Sequence, residues 1–352
     1  MKKERFGITA DGIKIYKFIL KNRFMQVELI NFGATIVSIK VPDRNGKVED
    51  VTLGYSDLKG YENDTVFFGS IVGRFGNRIR NGKFSLNGKS YQLAINSGNH
   101  HLHGGNKGFN KVVWNYFVVP GKENAVKFSY TSPDGEENYP GTLTIDVVYE
   151  LTIENGIKID YSASTDKPTI LNPTNHTYFN LSGNPTNTIL DHIVRIDADA
   201  YTESDQDQIV TGKIVRVDGT PLDFRIPSEI GDRIDDAFDQ LTYAGGYDQN
   251  YVLNNYKGSV RSVGKVYHKQ SGRSLEIATD QPGMQFYTGN YLNDSIKGKE
   301  DVCYGKRTGF CMETQHFPDS PNHPDFPSVV LEPGEKYRQT TIYKFDIKDS
   351  IL

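Results

Sequence analysis

Four segments of the chain combine glycine and proline with polar side chains that can transfer protons or bind ligands. Loops of this composition commonly hold polar groups at the edge of a rigid scaffold, where binding and catalysis take place. A shorter fifth segment places one carboxylate behind a flexible pair of glycines. The five segments are 73–78, 100–105, 172–180, 313–324 and 245–250.

The first chemistry to consider is metal binding, because His101 and His103 are two residues apart and would project to the same side of a strand. A glutamate ligand should then follow within a few residues, but residues 104–107 are Gly-Gly-Asn-Lys. The sequence therefore predicts no metal, and we interpret His100 and His101 as solvated loop residues. His103 remains a binding candidate, because the two glycines after it allow backbone to approach a ligand closely.

The acidic residues of these segments allow two kinds of catalysis. Asp248 and Glu313 are candidates for the paired carboxylates of glycoside hydrolysis, although the sequence gives no distance between them. Alternatively, Glu313 and His176 form a carboxylate and imidazole pair that supplies a base and an acid near neutral pH. Taken alone, each of these residues is more often structural than catalytic. Walker and dinucleotide-binding loops and the Gly-x-Ser-x-Gly motif are missing, so nucleotide binding and serine-esterase chemistry are not indicated.

The elements that must position these loops are mainly strands. Asn-Gly and Asp-Gly pairs, which suit tight β-turns, recur along the whole chain. Alternating apolar and polar residues at 142–151 and 157–163 flank Asn155-Gly156 and predict a hairpin with one buried face. The same alternation predicts strands at 126–130 and 337–347.

One segment has helical rather than strand spacing. After Ser228, apolar residues at 230, 234, 238 and 241 predict a single amphipathic helix, although Gly231 weakens it. Alternation of strands with helices, internal repeats and linkers are not found. We therefore expect an all-β fold, a large antiparallel β-sandwich with few short helices, formed by residues 1–352 as a single domain.

Composition excludes several classes of partner. The 352 residues carry 44 Asp+Glu against 40 Lys+Arg, so no basic surface is expected for nucleic acid or an anionic membrane. No apolar run approaches the ~18 residues that a membrane-spanning helix needs, and the N-terminus lacks the pattern of an export signal. We expect a cytoplasmic protein in which Cys303 and Cys311 are buried thiols in a reducing compartment.

Taken in chain order, the loop segments resemble those of the aldose 1-epimerase family, also called the galactose mutarotases. A lone His-Gly-Gly would be a weak signal, whereas eight segments in the family's order are specific. The resemblance implies a large antiparallel β-sandwich that interconverts the anomers of a monosaccharide such as galactose or glucose without metal or cofactor. The eight segments are 31–34, 73–79, 102–105, 172–181, 246–248, 282–288, 313–315 and 333–337.

The resemblance also implies roles for individual residues. Glu313 would take the proton of the anomeric hydroxyl, and His176, held in its charged form by a neighbouring carboxylate, would protonate the ring oxygen. His103 would bind near the same oxygens, while Arg78 and Asp248 would hold other sugar hydroxyls. Further positions implied to line the pocket are Asn77, Tyr178 and Gln285.

Two alternatives remain open at this point. A hexose 6-phosphate epimerase would need additional basic residues around the pocket, and only Arg74, Arg78 and Arg80 are grouped in the sequence. A non-catalytic carbohydrate-binding protein could use the same fold, but it would not need both a carboxylate base and an imidazole acid. The sequence ranks no particular aldose as substrate and predicts no oligomeric state.

Overall fold

The computed structural model describes residues 1–351, and most of its regular structure consists of strands. The first strands along the chain are β1 (Lys2–Ile8), β2 (Lys14–Lys21), β3 (Gln26–Ile30), β4 (Thr35–Pro42), β5 (Val48–Asp50), β6 (Ile71–Val72), β7 (Arg78–Ile79), β8 (Lys83–Leu86), β9 (Lys89–Gln92) and β10 (His101–Leu102). The middle of the chain contributes β11 (Asn115–Val118), β12 (Ala125–Ser132), β13 (Leu143–Leu151), β14 (Gly156–Thr165), β15 (Thr169–Ile170), β16 (Thr174–Asn175), β17 (His192–Ile196), β18 (Ala198–Ser204) and β19 (Val210–Arg216). The last strands are β20 (Ser228–Glu229), β21 (Asp248–Leu253), β22 (Arg261–His268), β23 (Arg273–Thr279), β24 (Gly283–Tyr287), β25 (Cys311–Gln315), β26 (Val330–Leu331) and β27 (Tyr337–Ile347).

Helices are few and short. The α-helices are α1 (Leu58–Asn63) and α2 (Asp239–Ala244). The 3-10 turns are Arg80–Gly82, Phe109–Lys111, Glu136–Asn138, Ile230–Asp232, Lys299–Asp301 and Ser320–Asn322. Within residues 1–351, no helix is long and apolar enough to cross a membrane.

The strands form one large sheet and several smaller ones. Nine strands pair in the order β11-β12-β13-β14-β27-β23-β22-β17-β20, and five pair in the order β19-β18-β21-β24-β25. A second five-stranded sheet contains β1 to β5 in chain order, and two-stranded ladders join β10 to β7 and β16 to β6. All of these ladders are antiparallel.

The nine-stranded sheet packs face to face with the five-stranded sheet that ends in β25. The Tyr343 hydroxyl on β27 donates to the Met312 carbonyl on β25 at 2.8 Å, and Gln339 Nε2 donates to the Thr314 carbonyl at 3.1 Å. One apolar cluster continues through this interface, with Phe18 and Phe345 near its ends in the sequence. The predicted antiparallel β-sandwich is therefore confirmed.

The hairpin predicted on either side of Asn155-Gly156 is present as β13 and β14. Its ladder runs from Leu143 opposite Thr165 to Leu151 opposite Ile157, and the buried residues alternate along both strands. Asn155 adopts a φ of 63°, the left-handed conformation that a tight turn requires. Period-2 patterning was sufficient here because one face of the hairpin is buried and the other is not.

The helix predicted over 228–241 is wrong. The structure has the short strand β20, one 3-10 turn at Ile230–Asp232 and the separate helix α2 in that region. A capping box between Glu229 and Asp232 closes the turn, and the Gly231 amide donates to the Leu190 carbonyl at 2.8 Å. The backbone donor that would continue a helix is used by a distant residue, so tertiary contacts overrode the local apolar spacing.

The two cysteines occupy different environments. Both are free, Cys311 is buried in β25, and Cys303 is exposed. Cys303 pairs with Lys297 through an isolated β-bridge in a surface loop. The prediction of a buried thiol is correct for Cys311 and wrong for Cys303, because it rested on composition rather than on local pattern.

Candidate active site

All eight residues singled out from the sequence line a single cavity of about 140 Å³. The cavity lies where the five-stranded sheet containing β25 meets the loops that follow β6, β10 and β16. These residues are Asn77, Arg78, His103, His176, Tyr178, Asp248, Gln285 and Glu313. The first and last of them are more than 200 positions apart, so only the fold brings them together.

Three neighbouring strands present the acidic side of the cavity. Asp248 begins β21, Gln285 lies on β24, and Glu313 lies on β25 directly opposite Gln285. Gln285 Nε2 donates to Asp248 Oδ1 at 2.7 Å, which holds the two side chains together. Because β24 separates β21 from β25, the two carboxylates approach the cavity from different strands.

His176 follows β16 and is held by its backbone. Its amide donates to the Ser70 carbonyl at 2.9 Å, and its carbonyl accepts from the Gly69 amide at 3.0 Å. Gly69 has a φ of 67°, and a Cβ atom there would lie 2.0 Å from the Ile36 carbonyl oxygen. Only glycine fits this position, so Gly69 is needed to place His176.

The opposite wall consists of β7, β10 and the residues beside them. The Asn77 amide donates to His103 Nδ1 at 3.1 Å, and the His103 amide donates to the Asn77 carbonyl at 3.1 Å. Asn77 and His103 both have positive φ, at 63° and 50°. Arg78 is fixed through its own backbone, since its carbonyl accepts from the Asp319 amide at 2.9 Å.

The hydrogen bond from Asn77 defines the protonation state of His103. A nitrogen that accepts an N–H bond carries no proton, so neutral His103 has its proton on Nε2. Burial lowers the pKa of His103 well below its usual value, and His176 and Arg78 lower it further. His103 is therefore a neutral imidazole that offers one N–H donor to the cavity.

Glu313 and His176 form the central pair of the site. His176 Nε2 lies 3.6 Å from Glu313 Oε1, and both side chains are nearly fully buried. Glu313 Oε2 is buried without a hydrogen-bond partner within residues 1–351, and so is Gln285 Oε1. A buried acceptor without a partner is unfavourable in a folded protein, so both atoms are available to a ligand that donates hydrogen bonds.

Burial dominates the ionisation of this pair. It lowers the pKa of His176 to about 4, while it raises the pKa of Glu313 well above its ordinary value, with a further contribution from Asp248 and opposition from Arg78. The expectation that a carboxylate keeps His176 charged is therefore wrong for the site without sugar. The pair holds one exchangeable proton, and desolvation of both partners favours the uncharged forms.

Arg78 and Asp248 both line the cavity, and their charges interact. Arg78 Nη2 donates to Gln208 Oε1 at 2.5 Å, and the Gln208 amide group also contacts the Tyr291 hydroxyl. Burial raises the pKa of Asp248, while Arg78 and the hydrogen bond from Gln285 lower it. The cavity thus offers both a fork of donors and a carboxylate acceptor at positions separate from the Glu313–His176 pair.

Neighbouring residues of the same segments have structural functions instead. His101 is buried, with Nδ1 at 2.8 Å from the Ala94 carbonyl and Nε2 at 2.6 Å from the Tyr139 hydroxyl. His100 is also buried and accepts from the Asn81 amide at 3.0 Å. The interpretation of these two histidines as solvated loop residues is wrong, because both tie their loop to neighbouring backbone or side chains.

The glycines after His103 serve the protein's own packing. A Cβ atom on Gly104 would lie 1.8 Å from the Gly73 carbonyl oxygen, and one on Gly105 would lie 2.1 Å from a Glu137 carboxylate oxygen. The close backbone approach that the sequence suggested is thus to other parts of the chain.

Three aromatic residues of the cavity were missed by the sequence analysis as individual candidates. Phe67 has a φ of 64°, and its ring centroid lies 4.6 Å from that of His103. Tyr287 lines the interior, and Tyr291, which is 52% exposed, stacks on it with ring centroids 6.0 Å apart. Tyr287 lies inside a segment of the family resemblance, but nothing local marks Phe67 or Tyr291.

Three side chains of the cavity have ligand atoms close enough together to be considered as a metal site. His103, His176 and Glu313 each offer a ligand atom within 4.8 Å of the others. A cation on His103 Nε2 would require the proton to move to Nδ1, where the Asn77 amide already donates. The hydrogen bonding therefore disfavours a metal at His103, which agrees with the prediction of metal-free chemistry.

Comparisons with known proteins agree on one family. The sequence model described as aldose 1-epimerase matches residues 16–344. The galactose mutarotase of Bos taurus is 46% identical over 334 residues, covering 95% of this chain and 94% of the bovine one. The galactose mutarotase of Homo sapiens is 43% identical and covers 97% of each chain. The aldose 1-epimerase of Escherichia coli K12 is 34% identical over 98% of this chain and 99% of its own.

Solved structures share the fold over the same length. A galactose 1-epimerase from Lactobacillus acidophilus superposes with a TM-score of 0.86 at 28% identity, covering 99% of this chain and 98% of its own. An aldose epimerase homologue from C. elegans also gives a TM-score of 0.86, at 30% identity, over 94% of this chain and 99% of its own. The β-sandwich of this chain is the fold of these epimerase structures. The chain belongs to the aldose 1-epimerase family.

Proposed function

We propose that this protein is an aldose 1-epimerase, an isomerase that interconverts the α and β anomers of free aldohexoses such as galactose and glucose. The observation that carries the proposal is the 3.6 Å approach of His176 Nε2 to Glu313 Oε1 in a cavity with unpaired buried acceptors. Opening a cyclic hemiacetal requires deprotonation at one oxygen and protonation at another, and this pair supplies both groups.

In the proposed reaction Glu313 accepts the proton of the anomeric hydroxyl as the C1–O1 double bond forms. The C1–O5 bond breaks, and O5 receives the proton of His176 Nε2. After rotation about the C1–C2 bond, closure on the other face returns both protons by the reverse steps. The reaction needs no net proton uptake, which suits a pair that shares one exchangeable proton.

Sugar binding is proposed to prepare the pair for the reaction. Hydroxyl groups that donate to Glu313 Oε2 would stabilise the carboxylate and thereby favour movement of the proton to His176. His103 would donate from Nε2 to a sugar oxygen, while Arg78 and Asp248 hold hydroxyls away from the anomeric carbon. We assign Asn77, Tyr178 and Gln285 to the lining of the sugar-binding cavity.

The hexose 6-phosphate alternative receives little support from the surrounding arginines. Arg74 is buried and donates to Ser132 Oγ at 2.8 Å and to the Pro140 carbonyl at 2.9 Å. Arg80 pairs with Asp205 at 2.8 Å. Of these arginines only Arg78 lines the cavity, and one guanidinium is a poor match for a phosphate group that also needs neutralising charge.

Two further features of the protein are proposed, its domain organisation and its location. A single domain over 1–352 is consistent with an apolar cluster that includes both Phe18 and Phe345. A cytoplasmic location is consistent with two free cysteines. The predictions that no nucleic acid, membrane or cofactor takes part follow from the composition and the resemblance.

The test is polarimetry of freshly dissolved α-D-galactose and α-D-glucose with and without the protein. We expect faster approach to the equilibrium rotation with both sugars, and no comparable acceleration with their 6-phosphates. Asp248→Asn should worsen kcat and KM to a degree that differs between galactose and glucose, which differ in the direction of one hydroxyl. Binding of sugar without acceleration would instead support a non-catalytic carbohydrate-binding protein.

A further inference from the structure

The loop that joins β18 to β19 reaches the edge of the cavity from a distant part of the chain. At its tip, Gln208 is partly buried and has a φ of 60°, a left-handed conformation that residues other than glycine rarely adopt. Its side chain contacts two residues of the cavity lining, Arg78 and Tyr291. The proposed function leaves this glutamine without a role.

Both ends of the Gln208 amide have partners. Oε1 accepts from Arg78 Nη2 at 2.5 Å, while Nε2 donates to the Tyr243 carbonyl at 3.0 Å and to the Tyr291 hydroxyl. A guanidinium only donates hydrogen bonds and a carbonyl only accepts them, so a single orientation of the amide satisfies both. The side chain thus links β7 to α2 and to the loop of Tyr291.

The loop is also fixed by contacts that do not involve the Gln208 side chain. Beside β7, Arg80 Nη2 donates to Asp205 Oδ2 at 2.8 Å. Beside α2, the backbone amide of Ser204 donates to Gln240 Oε1 at 2.9 Å, and Gln240 Nε2 donates back to the Ser204 carbonyl at 2.8 Å. Substitution of Gln208 should therefore leave the loop in place and remove only the link to the cavity lining.

Arg78 gains a fixed orientation from this link. Within residues 1–351, the hydrogen bond of its guanidinium goes to Gln208, and no carboxylate forms an ion pair with it. A long arginine side chain loses much rotational freedom when it binds a ligand. Because Gln208 holds Nη2 before the sugar arrives, less freedom is lost on binding, and the other N–H groups of the fork stay available.

The neutral amide leaves the charge of Arg78 uncompensated. Arg78 lowers the pKa of Asp248 against the effect of burial, so the two charges already influence each other in the cavity. A carboxylate in the place of Gln208 would form a charge-assisted pair with the guanidinium and compete with Asp248. An amide orients the guanidinium without this competition.

We propose that Gln208 is a positioning residue for sugar binding: it holds the Arg78 guanidinium at the edge of the cavity, so that Arg78 binds sugar hydroxyls without reordering. This inference rests on the proposed function, in which Arg78 holds hydroxyls away from the anomeric carbon. The hydrogen bonds of the Gln208 side chain go to Arg78, Tyr243 and Tyr291, and none goes to the pair that transfers protons. Loss of Gln208 should therefore weaken binding and leave proton transfer intact.

The experiment measures kcat and KM for galactose by polarimetry, and the Kd for galactose at anomeric equilibrium by NMR titration. The variants are Gln208→Ala, Gln208→Met and the matched control Gln206→Ala, which changes an exposed glutamine of the same loop. We expect Gln208→Ala to raise KM and Kd by roughly 3- to 10-fold, as for the immobilisation of one long side chain, with kcat within about 2-fold of the wild type.

The other two variants separate hydrogen bonding from packing and from general effects on the loop. Gln208→Met keeps the length and approximate volume of the side chain but not its polar end, so it should match Gln208→Ala. Gln206→Ala should match the wild type. Wild-type KM and Kd in Gln208→Ala would overturn the proposal, as would a Gln208→Met variant that restores both values or a lower kcat at unchanged KM.

A double-mutant cycle with Arg78→Lys tests whether Gln208 acts through Arg78. The single nitrogen of lysine cannot serve Gln208 and the sugar as a fork does, so Gln208→Ala should add little to the Kd of Arg78→Lys. Fully additive effects on Kd would contradict the proposal. An Arg78→Lys variant that binds galactose as tightly as the wild type would also overturn it, even if the protein catalyses mutarotation. Absence of catalysis would instead refute the proposed function, and the Kd values would still decide the role of Gln208.

Discussion

Two clusters in this molecule each combine two histidines with one carboxylate, but they differ in whether their polar atoms already have partners. One is His103, His176 and Glu313 in the cavity, and the other is Asp191, His192 and His268 on the nine-stranded sheet. In both, the potential ligand atoms lie within 4.8 Å of one another, and both histidines are buried. Composition and spacing alone would treat the two clusters alike.

The second cluster satisfies its polar atoms internally. His192 Nδ1 lies 3.0 Å from Asp191 Oδ1, while its Nε2 accepts from the Leu181 amide at 2.9 Å. His268 Nε2 lies 3.2 Å from Asp191 Oδ2, and its Nδ1 lies 2.9 Å from Ser271 Oγ. Each imidazole nitrogen has a partner, so this cluster stabilises the ends of β17 and β22 and offers nothing to a ligand.

The cavity cluster differs in what it leaves unpaired. Glu313 Oε2 has no partner within residues 1–351, and it lines the cavity together with His103, whose Nε2–H is a donor. Unpaired buried groups destabilise a fold, and they persist at sites where a ligand completes them. The two clusters therefore differ in whether an unsatisfied polar atom borders a cavity, and not in residue type.

The largest expected effect separates the two clusters by activity. Glu313→Gln and His176→Asn should each lower the catalysed rate by at least ~10²-fold, the lower range for a positioned acid or base. His192→Asn and His268→Asn should leave turnover unchanged in the same polarimetric assay. Near wild-type turnover in a folded Glu313 or His176 variant would remove that residue from the mechanism.

The second prediction is that the buried histidines of both clusters lower the stability of the folded protein as the pH falls. Burial lowers the pKa of His176 to about 4, and burial together with His192 lowers that of His268 to about 4. Because an unfolded histidine titrates near ~6.5, the unfolded state binds the extra proton between these values, and stability is lost as pH falls. Each imidazole should therefore destabilise the folded state by up to about 3 kcal/mol between pH ~6.5 and ~4.

The measurement compares thermal unfolding of the wild type with His176→Asn and His268→Asn over this pH range. Asparagine does not titrate, so the stability difference should move in favour of each variant as pH falls. A difference that is independent of pH would show that the imidazole is not kept neutral by burial.

A smaller effect should have opposite signs in the two clusters. Glu313→Gln removes a buried carboxylate whose raised pKa shows that its charged form is unfavourable, so it should stabilise the fold by about 1 kcal/mol at neutral pH. Asp191→Asn leaves one acceptor oxygen for two imidazole donors and should destabilise the fold by about 1 kcal/mol, since Asp191 is half exposed.

Chemical denaturation at pH 7 and pH 5 tests both signs. The gain from Glu313→Gln should shrink at the lower pH, because the stability penalty of a carboxyl with raised pKa builds up as pH rises above the ordinary pKa that it has in the unfolded chain. A destabilised Glu313→Gln would mean that the carboxylate supports the fold, as Asp191 does.

The last prediction is that removal of metal ions does not change the activity. Exhaustive dialysis against a chelator should leave activity unchanged, because Asn77 occupies the His103 nitrogen that would have to be protonated for metal binding. Loss of activity on chelation, restored by added zinc or manganese, would make the cavity cluster a metal site.

Strand patterning accounts for what could be predicted about the fold. Alternation in 142–151 and 157–163 is a local, period-2 signal that arises because one face of β13 and β14 is buried. The segment 228–241 shows the limit of that approach, because the Gly231 amide donates to the Leu190 carbonyl outside the segment. Local periodicity is reliable where burial is periodic and fails where a distant carbonyl competes.

The residue types of the site and their order along the chain were available from the sequence through the family resemblance. Their geometry was not, because His176 and Glu313 meet only when β16 packs beside β25. The arginines illustrate the same point: Arg74, Arg78 and Arg80 lie within a stretch of seven residues, yet one is buried, one lines the cavity and one pairs with an aspartate.

By itself the sequence determined a β-rich chain with the side chains that acid–base chemistry on a sugar requires. Tertiary structure decided which nitrogen of His103 is protonated, why burial favours a neutral His176, and which of two similar clusters faces a cavity. The physical reason is that strand propensity acts between neighbours in sequence, whereas desolvation and hydrogen-bond satisfaction depend on groups that only the folded chain brings together.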